Sequence, residues 1–360
     1  MIFRGCIPAA GKARRETRAG VRPHVPDYAD HVASRGGRPQ LAVVVDAEEE
    51  FDWSGPFSRS RNETRSVPAQ ALAHEVYDRL GMIPTYVVDY PVAIDPTAGA
   101  FLRELLGDGR AEVGAHLHPW VSPPHVEEVT RFNSYQCNLP PELERAKIEL
   151  LTDTIRAQLG VRPTVFKAGR YGFGPNTARV LKALGYTVDC SFVPHVCFSV
   201  DGGPDFQRTP DQPFWLDEER SLLEVPVTSG FVGPLAGLGP AVSGLFDSPA
   251  AERLRIPGML APLLARSRLT PEGVSAEEQC RLLEQMIAAG RSFFVLTYHS
   301  PSLAPGNTPY VRSDEDLVRF LATIEEVLTF FRDRLGGEFT TLARYREQQG
   351  MAEVPAARAA

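Results

Sequence analysis

The chain has 360 residues, 43% hydrophobic and 23% charged, an ordinary globular composition with length enough for one large core. Its 38 basic and 45 acidic residues leave a formal charge of −7, which gives no electrostatic reason to expect nucleic acid or an anionic membrane; a neutral or small substrate is the simpler partner. Five scattered cysteines (Cys6, Cys137, Cys190, Cys197, Cys280) form no C-x-x-C pair and no even-numbered framework, so they read as free thiols of a reducing compartment.

Residues 1–39 combine Arg14, Arg15, Arg18, Arg22, Arg35 and Arg38 with Gly, Pro and Ala, without helical or strand periodicity, and are expected to be a flexible leader. A strand is expected at Leu41–Val45 and a helix at Pro68–Leu80, with Leu72, Val76 and Leu80 on one face and Gly81 as its stop. Ile83–Val88 reads as a strand, Phe101–Leu106 as a helix and Glu112–Leu117 as a short strand. After a Pro-rich loop, Pro140–Leu159 is a helix by its Ile148, Leu151, Ile155, Leu159 stripe. Thr164–Phe166 (strand), Asn176–Leu184 (helix) and Thr187–Cys190 (strand) follow. The pattern then loosens into a Gly- and Pro-rich stretch around a strand-like Leu222–Val227. Order returns with the helix Ser275–Ala289, the strand Phe293–Tyr298 and the helix Ser313–Leu335; Ser275 with Glu278 makes a capping-box pattern, and Ser313 and Asp316 open the last helix. Residues 346–360 read as a second loose tail. Strands alternating with helices imply parallel βαβ units, hence one α/β domain, an irregular (β/α) barrel over residues 40–345. No secretory apolar region opens the chain and no run approaches the about eighteen apolar residues of a membrane span, so a cytoplasmic location without an integral membrane segment is expected.

In such folds functional groups sit where strands end. Asp46, Glu48, Glu49 and Glu50 crowd the end of the first strand, where buried carboxylates repel unless a cation joins them. Glu49 and Glu50 read as loop-solvating residues; Asp46 and Glu48 are the functional pair. His116 and His118, two apart on an extended strand, point to one face and can share an ion with Glu48, zinc being the first candidate. His125 is the alternative second histidine. His299 ends a late strand, and Asp189 is placed to orient an imidazole and hold it as a general acid. Lys167, Gly169, Arg170, Tyr171 and Gly172 add positive charge and backbone that can approach a ligand closely. Trp53, Tyr90, Trp120 and Phe231 are candidates for stacking against a sugar.

This constellation resembles the polysaccharide deacetylases, the NodB-homology or carbohydrate esterase family 4 group, over about residues 41–345. Val45-Asp46-Ala47-Glu48 is similar to the family's first motif, Ile83–Val88 to its second strand, and Leu296-Thr297-Tyr298-His299 to its closing motif. The resemblance implies Asp46 as catalytic base, Glu48 as metal ligand, His299 as general acid and Asp189 as the group tuning it. Two departures stand out. The family spaces its two histidines four apart, and here Trp120 occupies the second position, so His118 must substitute. The family's arginine after the fourth strand is replaced by Lys167, with Arg170 three residues on; either could hold Asp46.

The implied activity is metal-dependent hydrolysis of an N-acyl group, acetyl first, from an amino sugar or a surface polysaccharide precursor. Catalysis would fall to Asp46, His299, Asp189 and Arg170, and substrate contact to Tyr171, Trp53, Trp120 and Lys167. Two alternatives remain: a metal-independent amidohydrolase of the same fold, similar to the allantoinase-like branch, and a carbohydrate-binding protein without turnover. The unrelated amidohydrolase barrel, with His-x-His after its first strand, is set aside because here the pair follows the third.

Overall fold

The computed structural model describes Val32 and residues 37–351. Most of the expected leader, and the tail beyond Met351, therefore lie outside the described residues; so does Cys6, while Cys137, Cys190, Cys197 and Cys280 are free thiols. Among the described residues the strands are β1 (Gln40–Ala47), β2 (Thr85–Val88), β3 (Glu112–Leu117), β4 (Val165–Ala168), β5 (Val188–Asp189), β6 (Phe214–Trp215), β7 (Leu223–Glu224), β8 (Ser229–Val232), β9 (Ala265–Arg268), β10 (Phe293–His299) and β11 (Glu338–Phe339). The helices are α1 (Ala71–Leu80), α2 (Tyr90–Ile94), α3 (Pro96–Gly107), α4 (Pro141–Leu159), α5 (Thr177–Leu184), three short turns α6 (Gly239–Val242), α7 (Pro249–Arg253) and α8 (Ile256–Leu260), then α9 (Ala276–Ala288), α10 (Asp314–Asp333) and α11 (Leu342–Met351).

The main sheet runs β10-β1-β2-β3-β4-β5-β7-β6, parallel except for the β6/β7 pair, with β11 also pairing β1. The β1 sequence Leu-Ala-Val-Val-Val is apolar on both faces and fully buried, as a central parallel strand covered on both sides must be. The path does not close on itself. An antiparallel pair, β8 with β9, fills the gap: Val295 of β10 donates its N–H to Thr228 Oγ1 at 2.8 Å, and Thr297 donates to Leu269 O at 3.1 Å. The result is the expected distorted (β/α) barrel, with an antiparallel insertion where the sequence pattern loosens.

Helix ends follow their local chemistry. Gly81, Gly160 and Gly185 close α1, α4 and α5 in the left-handed region that glycine enters without strain. Ser313 and Asp316 make a reciprocal capping box on α10, and Ser275 Oγ accepts the Glu278 N–H on α9. The short helix α2 was not anticipated; Asp89 caps it by accepting the Val92 N–H at 2.9 Å. At the margins, Val32 donates its N–H to Pro213 O at 3.0 Å and packs on the core, and α11 carries helix past residue 345 to Met351. No helix among the described residues is long and apolar enough to cross a membrane.

Strand register prepares the site. In the β1/β10 ladder Asp46 stands opposite His299, and in the β3/β4 ladder His116 stands opposite Lys167. The carboxyl ends of four strands thus bring an acid, an imidazole pair, an amine and a third imidazole to one end of the barrel.

Candidate metal and catalytic site

Glu48, His116 and His118 converge. Glu48 Oε2 lies 3.5 Å from His116 Nε2 and 3.4 Å from His118 Nε2, and the two Nε2 atoms are 3.1 Å apart. Ligands held at about 2.0–2.1 Å around a tetrahedral zinc would be about 3.3 Å apart, so the three atoms already stand at the edges of such a site. The far nitrogen of each ring is engaged: His116 Nδ1 meets Lys167 O at 3.0 Å, and His118 Nδ1 meets Glu49 Oε2 at 2.7 Å. Burial pulls both imidazoles down, His116 well below its ordinary value and His118 to about 4, so both are neutral. With Nδ1 of His116 donating to a carbonyl, its Nε2 turns a lone pair inward. Glu48 is fully buried, its Oε1 has no hydrogen-bond partner, and burial followed by the charges of Asp46 and Glu49 pushes its carboxyl well up. Inward lone pairs and an excess of buried carboxylates are what a divalent cation would neutralise, so the donor set fits one.

Local packing fixes the ligands. Glu48 donates its backbone N–H to Ser300 Oγ at 3.2 Å, and Gln70 donates to Ser300 O at 3.2 Å, so the turn after β10 seats the ligand that follows β1. A Cβ on Gly169 would collide with the His118 ring and with Leu117 O; only glycine lets β4's exit pass this close.

Beside this cluster Asp46 is ion-paired with Lys167, whose Nζ lies 2.7 Å from both carboxylate oxygens and 3.0 Å from Thr297 Oγ1. Burial works against the Asp46 charge, but the Lys167 ammonium, by its charge and its hydrogen bonds, leads the groups that outweigh it, and the Asp46 pKa is lowered. His299 Nε2 faces Asp46 Oδ2 at 3.6 Å, and its Nδ1 lies 2.7 Å from Glu272 Oε2. Glu272 is buried; it also accepts the His299 backbone N–H at 3.0 Å and the Ser302 hydroxyl at 2.7 Å. Burial opposes its ionisation, yet His299 and these bonds hold its pKa down.

Several expectations need correction. Asp189 does not orient His299: β5 stands five strands from β10 along the sheet, and both Asp189 oxygens accept from Ser191, at 2.8 Å (Oγ) and 3.1 Å (N). Glu272 has that place, on the loop after β9, where no periodic pattern marked it. Arg170 does not hold Asp46, because its backbone turns left-handed (φ 52°) and sends the guanidinium to Ser134 Oγ (2.5 Å), Asp201 (3.4 Å) and the Tyr135 ring (4.0 Å). Lys167 is likewise placed as the partner of Asp46 rather than as a substrate contact. Trp120 is no open stacking wall: it is buried, 4.2 Å from the His118 ring in a stacked arrangement, and donates Nε1–H to Glu49 Oε1 at 2.7 Å. Glu49, read as a loop solvator, is fully buried. Burial raises its pKa to about 7 against the pull of its hydrogen bonds, while Asp89, which accepts the Glu49 N–H at 2.8 Å, is pushed well above its ordinary value by burial and by Glu49. Phe231 is buried between His195 and Phe246. His125 is exposed, near Lys147, Arg59 and Glu127, and does not join the cluster.

Two aromatics do border the reacting groups. The Trp53 ring centroid is 4.9 Å from that of His299, and the half-buried Tyr171 lies with its ring centroid 5.4 Å from Lys167 Nζ and its hydroxyl 3.1 Å from Arg268. A cleft of about 460 Å³ opens beside Trp53, between Phe51, Asp52, Asn307, Thr308 and Arg312. It shares Trp53 with the His299 side but does not include the Glu48, His116, His118 cluster.

No family model matches the chain, and no curated protein does. Solved structures do. A protein from Mycobacterium smegmatis described as a polysaccharide deacetylase aligns with a TM-score of 0.52 at 15% identity, over 93% of this chain and 96% of that one. One from Pseudomonas aeruginosa PAO1, described likewise, gives 0.50 at 14% identity over 88% and 92%. The Puue allantoinase gives 0.53 at 14% identity over 90% and 94%. At these identities the likeness speaks for architecture alone, and it spans nearly the whole of each chain. The resemblance read from the sequence therefore holds at the level of fold: the chain has the distorted (β/α) barrel of the polysaccharide deacetylases.

Proposed function

We propose that the chain is a hydrolase that removes an N-acyl group, acetyl first, from an amino sugar, using a divalent ion held by Glu48, His116 and His118, with zinc the first candidate. The observation that carries this reading is the convergence of three inward-facing donor atoms within 3.1–3.5 Å of one another, next to an ionised carboxylate and a carboxylate-anchored imidazole. The deacetylase names of two fold neighbours support the choice of reaction class. A bound ion would supply Lewis acidity toward the acyl oxygen and toward water.

The chain's own residues divide the proton work. Asp46, kept ionised by Lys167, takes a proton from the attacking water; the ion pair also stops the carboxylate from turning away. His299, with Nδ1 tied to Glu272, has only Nε2 directed toward Asp46 and the reaction centre, and from that atom delivers a proton to the departing amine. Trp53 and Tyr171 flank these groups and would bound the sugar. An amide needs both transfers because its amine is a poor leaving group; a binding protein without turnover would need neither.

Metal analysis paired with an amine-release screen over N-acyl sugars tests this. The expected result is one divalent ion per chain and amine release that stops on chelation and returns on reloading. Release unaffected by complete metal removal would overturn it in favour of the metal-independent amidohydrolase.

A further inference from the structure

We infer that Glu49 is a positioning residue of the ion site, aimed by Trp120, and that this pair is what lets a two-residue histidine spacing serve in place of a four-residue one. The inference rests on the reading that Glu48, His116 and His118 hold a divalent ion.

The two imidazoles are unequally supported by the backbone. His116 lies within β3 and is tied through Nδ1 to a carbonyl of the neighbouring strand, Lys167 O. His118 lies one residue beyond the end of β3, and the partner of its Nδ1 is a side chain, Glu49 Oε2, at 2.7 Å. The Trp120 N–H on Oε1 favours the ionised form of Glu49, and an ionised Oε2 facing Nδ1 can only accept from it, which places the proton on Nδ1 and leaves the Nε2 lone pair facing Glu48 and His116. Without that partner the ring could take the other tautomer and point an N–H at the ion site.

Three contacts keep Glu49 at this task. Its second oxygen accepts the Trp120 Nε1–H at 2.7 Å, its backbone N–H is held by Asp89 at 2.8 Å, and the Trp120 ring lies 23° from parallel with the His118 ring that Glu49 orients. Trp120 stands where the family resemblance puts a second histidine ligand. The indole supplies no ligand atom; it aims the carboxylate that orients the ligand two residues earlier. The arrangement presents two N–H donors, from His118 and Trp120, to two oxygens of one side chain. Glutamine at position 49 would offer one oxygen and one NH₂ group to those donors, so one contact would become a donor facing a donor.

The test is zinc affinity, measured by chelator competition on the folded full chain, for Glu49→Gln, Trp120→Phe and the double variant, together with ¹⁵N spectra of the histidine rings in metal-free protein. The expected result is about 10–100-fold weaker zinc binding for Glu49→Gln. Trp120→Phe should have a smaller effect, and the double variant should recover much of the loss because only one donor then faces the glutamine. In wild type, His118 should carry its proton on Nδ1. A wild-type spectrum with the proton on Nε2, an unchanged affinity in Glu49→Gln, or a double variant as weak as the two single losses combined would each overturn the inference while leaving the ion site intact. Wild type that binds no divalent ion would overturn the ion-site reading and this inference with it.

Discussion

Lys167 on β4 and Asp46 on β1 meet although two strands stand between them in the sheet: both are buried, and one ammonium lies 2.7 Å from each carboxylate oxygen. Such a pair is costly to break, since removing one partner strands a charge away from water. Lys167→Met should destabilise the protein by about 3–5 kcal/mol in denaturant unfolding. The sign with pH follows from the directions of the shifts. Asp46 is lowered, so its contribution is present above the ordinary carboxylate range and lost as pH falls through the depressed value. Lys167 is raised, because Asp46 outweighs the burial that opposes its charge, so its contribution is lost as pH rises through that raised value. Wild type should therefore hold this increment across the neutral range, and Lys167→Met should lose it there.

Glu272 reaches the reaction only through His299, and its removal should be read in rate rather than in binding. His299→Ala is expected to lower kcat by about 10²–10⁴-fold, the usual span of a general acid. Glu272→Gln should fall between wild type and that limit, with KM little changed, since the amide can still accept one bond but no longer balances the imidazolium. Steady-state kinetics on an identified N-acyl sugar check this; a Glu272→Gln variant that changes KM alone would reassign the residue to substrate binding.

Removing the ion should be visible in stability. A ligand present at a hundredfold its Kd stabilises the folded state by about 2.7 kcal/mol. Thermal melts with chelator and with graded zinc should differ in the wild type, and His118→Ala should flatten that dependence. A zinc-dependent melt that survives His118→Ala would remove His118 from the ligand set.

Truncation separates the two parts of the N-terminal segment. Deleting residues 1–31 should leave Tm and activity near wild type. Deleting residues 1–36 also removes Val32, its bond to Pro213 O and its contact with the core, and should cost about 1 kcal/mol or more. Equal melting temperatures for the two truncations would mean that Val32 contributes nothing.

What the sequence disclosed follows from where information sits in a parallel barrel. Asp46, Glu48, His116, His118 and His299 could be read because each ends an apolar run, and the register of β1 with β10 and β3 with β4 turns a position along the chain into a position in space. Lys167 was visible as a charge after a strand, but its choice over Arg170 depended on a left-handed turn at Arg170 that sequence pattern does not announce. Glu272 was hidden because it lies in a loop with no period, downstream of a pair of strands only four residues long each. Glu49 was misread for a different reason. Four acids in five positions look alike on paper, and only Trp120 and His118 distinguish the one that is turned inward.

The open seam of the sheet has a consequence for how such a protein can change. The half of the site proposed to hold the cation, Glu48 with His116 and His118, follows or lies on β1 and β3, which are locked between neighbours on both sides. The carboxylate behind His299 arrives instead on the segment that leaves the β8–β9 pair, a patch inserted into the seam and joined to β10 by a few bonds. Substitutions in that patch can alter the carboxylate that anchors His299 while the strands that carry Glu48, His116 and His118 stay as they are. A change there would reach the His299 side of the site without passing through the central strands β1 and β3.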